Sequence, residues 1–292
     1  MHRTGELHRR ILAAQTLTAE CRLCPRACGA RRFQGETGTC GIGNQALVSS
    51  YGPHFGEESP LVGQGGSGTI FLARCNLRCV FCQNFEISQR GEGESVTPER
   101  LARIMLDLQE RGCHNINFVT PTPQVFHLLQ ALPMAIQGGL TLPLVYNCGG
   151  YESLEALRLL DGIVDIYMPD VKYGDAEIAH RYSGVPGYPE AAKAAVREMH
   201  RQVGDLALDA RGIARRGLLV RHLVLPEDLA GTDDVVAFLA DLSPRTYLNL
   251  MGQYRPCYRA HAFPALARRP NAAEMARAFR AARAAGLHRL DG

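Results

Sequence analysis

Lysine is almost absent from this chain of 292 residues: of 32 basic residues only Lys172 and Lys193 are lysines, and the rest are arginines. With so much alanine alongside, the arginines read as a GC-rich coding bias and not as a binding surface. Net charge is small, +3 at pH 7, which gives no electrostatic case for a nucleic-acid or membrane partner. Long apolar runs are missing too; nothing approaches the roughly eighteen residues that a membrane-crossing helix needs. Near the start, Arg9 and Arg10 are followed by only a brief apolar stretch, unlike a secretory signal. These absences lead to the expectation of a cytoplasmic protein. In a reducing compartment, ten cysteines point to metal ligation and not to disulfides. The length permits one large or two modest domains with a sizeable core.

Three of the cysteines concentrate the signal. Cys75, Cys79 and Cys82 stand at Cys-x3-Cys-x2-Cys spacing, directly after the apolar run Thr69-Ile70-Phe71-Leu72. That run, opened by Gly65-Gly66-Ser67-Gly68, reads as a buried strand. The cysteines then fall in the loop leaving its C-terminal end, where α/β barrels do their chemistry. Three thiolates on one short loop hold three corners of an iron–sulfur cube and leave the fourth open. A structural centre wants four protein ligands; an open position belongs to a site that binds substrate.

Cys-x3-Cys-x-aromatic-Cys after a first strand resembles the signature of radical S-adenosylmethionine (SAM) enzymes. The resemblance implies a 4Fe-4S cluster on Cys75, Cys79 and Cys82, with the amino and carboxylate groups of SAM on the open iron. One electron from the reduced cluster breaks a carbon–sulfur bond, and the resulting 5′-deoxyadenosyl radical removes a hydrogen atom from a substrate. Phe81 would lie near the adenine. An electron donor such as a flavodoxin or ferredoxin is implied, as is a protein or small-molecule substrate of unknown identity.

The rest of the chain fits that expectation in order. A leading helix runs from Glu6 to Ala19. Next come Cys21, Cys24, Cys28 and Cys40 at x2, x3 and x11 spacing, threaded with glycine, which turns tightly without strain. Four thiolates bind zinc or a closed iron–sulfur cluster, and spacing alone does not separate the two; Cys24-Pro25 favours the cluster. These cysteines precede the predicted barrel, so nothing requires them to approach the SAM site. Ser49 to Gly68 reads as an irregular, glycine- and proline-rich segment. Its His54, Glu57 and Glu58 are expected to bond to backbone rather than to form a metal or acid–base site.

Strands then alternate with helices. Thr97 caps a helix over 98–111, followed by a strand at 114–120, a helix at 124–135 and a strand at 142–147. A helix at 153–160 leads to the strand at 163–168, and helices at 175–182 and 189–203 lead to the strand at 218–225. A helix at 233–242, a strand at 246–250 and a last helix at 272–285, opened by an Asn271…Glu274 capping box, complete the pattern. Six strands with helical crossovers imply a parallel sheet. The expected fold is α/β: an open six-unit (β/α)6 partial TIM barrel over residues 65–292, after a cysteine-rich segment over 1–64.

Strand ends are where such a sheet gathers its site. The second strand ends at Thr120-Pro121-Thr122, where many radical SAM enzymes place Gly-Gly-Glu for the SAM amino group; Thr120 and Thr122 offer hydroxyls instead. The third ends at Asn147-Cys148-Gly149, similar to the Thr-Asn-Gly turn of activating enzymes, so Asn147 is a candidate for the SAM ribose or carboxylate. The fourth ends at Asp170-Val171-Lys172, which resembles Leu-Asp-x-Lys of pyruvate formate-lyase activating enzymes. Lysine is so scarce here that Lys172 marks a place where a compact ammonium is required. In the fifth strand Arg221 is costly to bury without an anionic partner; a SAM carboxylate and Asp170 are the candidates.

The PflX-type branch of pyruvate formate-lyase activating enzyme homologues is the nearest resemblance, on Cys-x2-Cys-Pro-x2-Cys-Gly at the front, Cys82-Gln83-Asn84, and Gln253-Tyr254-Arg255-Pro256-Cys257. Residues 83–96 contain no cysteine, so the extra clusters that many activators carry after the third cysteine have no counterpart. Glycyl-radical activation is one possible outcome of the chemistry. Two rivals from other classes are an iron–sulfur electron-transfer protein without SAM chemistry and a zinc-stabilised scaffold. Cys113 is expected in the core, Cys148 in a tight turn, and Cys257 on the predicted active-site face.

Overall fold

The structure is a computed structural model that describes residues 5–292. Its strands are β1 Ala46–His54, β2 Ser67–Leu72, β3 Glu94–Val96, β4 Ile116–Val119, β5 Leu144–Cys148, β6 Ile166–Pro169, β7 Ala207–Leu208, β8 Ala214–Leu223, β9 Tyr247–Met251 and β10 Arg289–Asp291. The helices are α1 Glu6–Ala19, α2 Ser59–Val62, α3 Pro98–Glu110, α4 Val125–Gln137, α5 Leu154–Leu159, α6 Ala176–Ser183, α7 Tyr188–Val203, α8 Thr232–Leu242 and α9 Ala272–Ala284. None of them is long and apolar enough to cross a membrane.

All strands join one sheet, in the order β10-β9-β8-β6-β5-β4-β2-β1-β3, with β7 alongside β8. Along the main order from β2 to β10 every neighbouring pair is parallel, whereas β1 runs antiparallel to β2 and β3, and β7 antiparallel to β8. The sheet is therefore mostly parallel, as the alternation of strands and helices implies. Two differences stand out. A seventh parallel strand, β10, pairs Arg289–Asp291 with β9; three residues are too few to carry a periodic signal. The second is β1, which occupies a stretch that reads as irregular from its Gly52-Pro53. Proline is tolerated there because β3 pairs only Ala46–Val48, so Pro53 lies where β1 is an open edge.

Local chemistry fixes the helix starts. Thr97 accepts from the Arg100 N–H at 3.2 Å with Pro98 in the first turn. Asp175 accepts from Ile178 N–H at 2.8 Å. Asn271 and Glu274 form the reciprocal capping box of α9.

Successive strand residues face opposite sides of the sheet, and each side has its own core. Leu144 and Tyr146 of β5 join the large core shared with α3, α4 and α7. Val145, between them, joins Ile166, Met168, Leu219 and Leu61 in a smaller core on the other side. Leu61 belongs to α2, so this short helix packs on the face away from the helical layer and carries Glu57 and Glu58 with it. Leu61 is fully buried, and Leu61→Ala should cost about 3 kcal/mol, read as a lower urea midpoint at unchanged slope.

Candidate active site and cluster loop

β2 delivers the cysteine loop. Arg74, at its start, has φ +72, a left-handed conformation that costs a non-glycine residue energy, and its N–H bonds Ile87 O at 3.0 Å. The loop is pinned from α6: Arg78 and Val80 donate N–H groups to Ser183 O and Tyr182 O at 2.9 and 2.8 Å. Asn76 Nδ2 reaches Tyr151 O at 2.7 Å.

Every sulfur of the loop has a polar neighbour. Leu77 N–H points at Cys75 Sγ at 3.4 Å, Ser183 Oγ donates to Cys79 Sγ at 2.9 Å, and Ser88 Oγ lies 3.0 Å from Cys82 Sγ. Tyr173 OH sits 2.7 Å from Ser183 Oγ and donates there when the serine proton goes to sulfur. Donors on sulfur favour the thiolate that ligates a metal. Burial works the other way, pushing the Cys79 thiol up to about 11 despite the pull of Lys172, so loading a metal here displaces protons. Three thiols with donors in place fit the three protein corners of an iron–sulfur cube.

Beside the loop lies a charged cluster. Arg221 donates from Nε to Asp170 Oδ1 at 2.7 Å and from Nη2 to Asn147 Oδ1 at 2.7 Å. Lys172 Nζ pairs with the other Asp170 oxygen. Burial alone would raise the Asp170 carboxyl, but Arg221 and Lys172 hold it below the usual carboxylate range. From α2 and the turn before it, Glu57 Oε2 approaches Arg221 Nη1 at 3.5 Å and Glu58 Oε1 approaches Nε at 3.9 Å. Asn249 Nδ2 donates to Glu58 Oε1 at 2.9 Å. The expectation that these two glutamates bond to backbone is thus corrected: α2 turns them inward, where an arginine needs carboxylates. Of the two candidates for Arg221, the structure supplies Asp170.

One cavity is lined by Cys75, Cys79, Cys82, Thr120, Asn147, Asp170, Lys172 and Arg221, drawn from four strand ends and the interior of β8. Phe81 is apart from it, in an adjoining lobe with Leu223, Met251 and Gln253, where it meets Tyr254 edge-on at 5.8 Å. Thr120 has φ +62, strain that recurs at functional sites. Thr122 does not line the cavity; its hydroxyl donates to Glu152 Oε1 at 2.7 Å on the helical side. Cys113 is core, as expected. Cys148 lines the cavity, whereas Cys257 is not among the lining residues of either lobe. Asn84, Ser88 and Gln89 line it too; sequence reasoning missed Ser88 and Gln89 because the π-helical turn Glu86–Arg90 has no readable pattern, and it used Asn84 only as part of the Cys82-Gln83-Asn84 resemblance. The front loop touches the cysteine loop through Arg26, whose Nε donates to Asn76 O at 2.5 Å, while none of the front cysteines lines either lobe.

Comparison with known proteins follows this geometry. The profile described as Radical SAM superfamily matches residues 69–208, from β2 through the cysteine loop to β7. Residues 69–208 form a radical SAM superfamily domain. A domain of that superfamily implies SAM cleavage with an iron–sulfur cluster. The chain is also 30% identical over 280 residues to the uncharacterised protein MJ0674 of Methanocaldococcus jannaschii, covering 92% of this chain and 76% of that one. Similarity to MJ0808 of the same organism is 26% over 182 residues, 54% of this chain and 50% of that protein. Among solved structures, a radical SAM methyltransferase from Sphaerobacter thermophilus superposes with TM-score 0.51 at 14% identity, over 75% of this chain and 64% of that one. At that identity the likeness is one of fold.

Glu152 gives the site a pH signature. It is fully enclosed, accepts from Thr122 and from Tyr146 OH at 2.9 Å, and burial pushes its carboxyl from 4.5 up to about 7. A carboxyl whose pKa is higher folded than unfolded stabilises the fold at low pH, and that contribution is lost as pH rises through the folded value. Urea unfolding should therefore show wild-type protein losing about 3 kcal/mol between roughly pH 5 and pH 8 relative to Glu152→Gln. Equal slopes for the two proteins would contradict the assignment.

Proposed function

We propose that this chain binds SAM in the cavity above Cys75, Cys79 and Cys82 and uses it to abstract a hydrogen atom from a substrate in the lobe beside Phe81. The single observation that carries the reading is the convergence of three donor-supported sulfurs with the Asp170–Lys172–Arg221 cluster. When bound, the cluster supplies the electron that cleaves SAM. Cys75, Cys79 and Cys82 hold it, and the donors from Leu77, Ser183 and Ser88 keep their sulfurs anionic. Lys172 carries a positive charge despite burial, because Asp170 raises its pKa, so it suits a carboxylate ligand. Asn147 and Asp170 offer acceptors to hydroxyl groups such as those of a ribose. Thr120 takes the position where other superfamily members carry Gly-Gly-Glu.

Within the superfamily, the motifs at Asp170–Lys172 and Arg221 favour a pyruvate formate-lyase activating enzyme-like protein of the PflX-type branch, with the sheet acting as an open partial barrel. Its electron donor would be a flavodoxin or ferredoxin, and its substrate a protein or small molecule admitted through the Phe81 lobe. Cys21, Cys24, Cys28 and Cys40 lie outside the cavity, and this reading gives them no part in SAM cleavage.

Anaerobically reconstituted protein given dithionite and SAM should form 5′-deoxyadenosine. Cys79→Ala should abolish the product, because a cube on two thiolates is labile, while Cys113→Ala should leave it unchanged. Lys172→Ala should weaken SAM binding on the order of tenfold, the loss of one charge-assisted contact. An intact cluster that yields no 5′-deoxyadenosine would favour the electron-carrier alternative and end the enzyme reading.

A further inference from the structure

The four front cysteines are brought together by their own backbone. Cys21 N–H bonds Ala30 O and Gly29 N–H bonds Cys21 O, both at 3.1 Å, so the chain folds back on itself across Cys24 and Cys28. Ala27 N–H to Cys24 O at 3.0 Å closes the turn between them, with Ala27 at φ +39. Gly41 N–H to Gly38 O at 2.9 Å makes a second turn around Cys40. The two turns touch: a Cβ on Gly38 would stand 2.3 Å from Cys28 Sγ, so glycine is required for the approach.

An independent observation says what charge this cluster carries. Arg32 is 2% exposed. It donates from Nη1 to Pro123 O at 2.6 Å and from Nη2 to Cys40 Sγ at 3.4 Å, and its Nε has no partner. Among the described residues it forms no ion pair with a carboxylate; every other ion pair found lies elsewhere. A buried guanidinium without an anion is costly, and the groups beside it that can become anionic are thiols. Neutral thiols would leave Arg32 uncompensated, whereas metal-bound thiolates balance it.

Four thiolates suit zinc or a closed iron–sulfur cube, and proline directly after Cys24, a pairing that recurs at ferredoxin-type ligands, favours the cube. We infer that Cys21, Cys24, Cys28 and Cys40 ligate a second, fully protein-coordinated iron–sulfur cluster whose negative charge is balanced by buried Arg32. The two cysteine loops are clasped together reciprocally. Arg26 of the front loop donates to Asn76 O at 2.5 Å and to Gly184 O at 2.9 Å, and Arg78 of the SAM loop donates to Thr39 O at 2.6 Å.

The test keeps this inference separate from the SAM reading. A protein with Cys75, Cys79 and Cys82 all changed to Ala, reconstituted anaerobically with 57Fe, should retain about four irons per chain with the Mössbauer spectrum of a cube. Wild type should hold about eight, and a Cys24→Ser, Cys28→Ser protein about four. Arg32→Gln keeps the shape and removes the charge, and it should shift the reduction potential of the retained cluster to more negative values. One tightly bound zinc at the front set would overturn the cluster assignment. A folded triple variant with no iron, or an Arg32→Gln protein with an unchanged potential, would likewise overturn it.

Discussion

A buried arginine inside a parallel strand shapes this molecule. Arg221 sits in β8, mostly enclosed, and a guanidinium there is stable only with anions around it. Asp170 meets it from the end of β6, and Glu57 and Glu58 meet it from the α2 segment. Three carboxylates against Arg221 and Lys172 leave a surplus of one negative charge. Burial raises the Glu57 carboxyl against the pull of Arg221. Nearby polar groups without protein partners, Glu58 Oε2 and Asn249 Oδ1, together with both polar atoms of Asn117, mark this side of the sheet as polar.

That charge cluster explains how the cavity is held open and aligned. Asp170 is fixed by Arg221 below and Lys172 beside it, so neither cation is free to fold onto the cysteines. The turn after β5 is tied to the turn after β6 by Tyr188, whose hydroxyl receives Lys172 N–H at 2.9 Å and reaches Gly149 O and Asp170 O at 2.8 and 2.9 Å. Gly150 is obligatory in that contact, since a Cβ would lie 2.4 Å from Asp170 O. Rigid strand ends thus carry polar groups to one place while the backbone pays no further entropy when a ligand arrives.

The superfamily match covers residues 69–208, and much that distinguishes this chain lies outside it. Arg221, Glu57, Glu58 and Asn249 all fall beyond its limits, as do the four front cysteines and Arg32. The shared region supplies the cluster loop and the strand ends from β4 to β6. The flanking segments supply the charge partners and the second cysteine loop.

Much of this was legible before any coordinates. Helix α1 runs over Glu6–Ala19 as its pattern predicts, the capping box of α9 is an i to i+3 signal, and the spacing of Cys75, Cys79 and Cys82 is a property of one short loop. Periodicity and spacing are local, so the sequence determines them by itself: alternating strands and helices, three cysteines after a first strand, a scarce lysine two residues from an aspartate. What it could not determine was who meets whom across the sheet. Glu57 and Glu58 look like polar loop residues until α2 turns them toward Arg221, 164 positions away in the chain for Glu57. Thr120 and Thr122 are two residues apart, yet Thr120 lines the cavity while Thr122 turns to Glu152. Arg26 and Arg78 read as two arginines among thirty, and only the fold makes them a clasp between two cysteine loops. Pairing at long sequence separation depends on where every strand and turn comes to rest, and only the tertiary structure decides that.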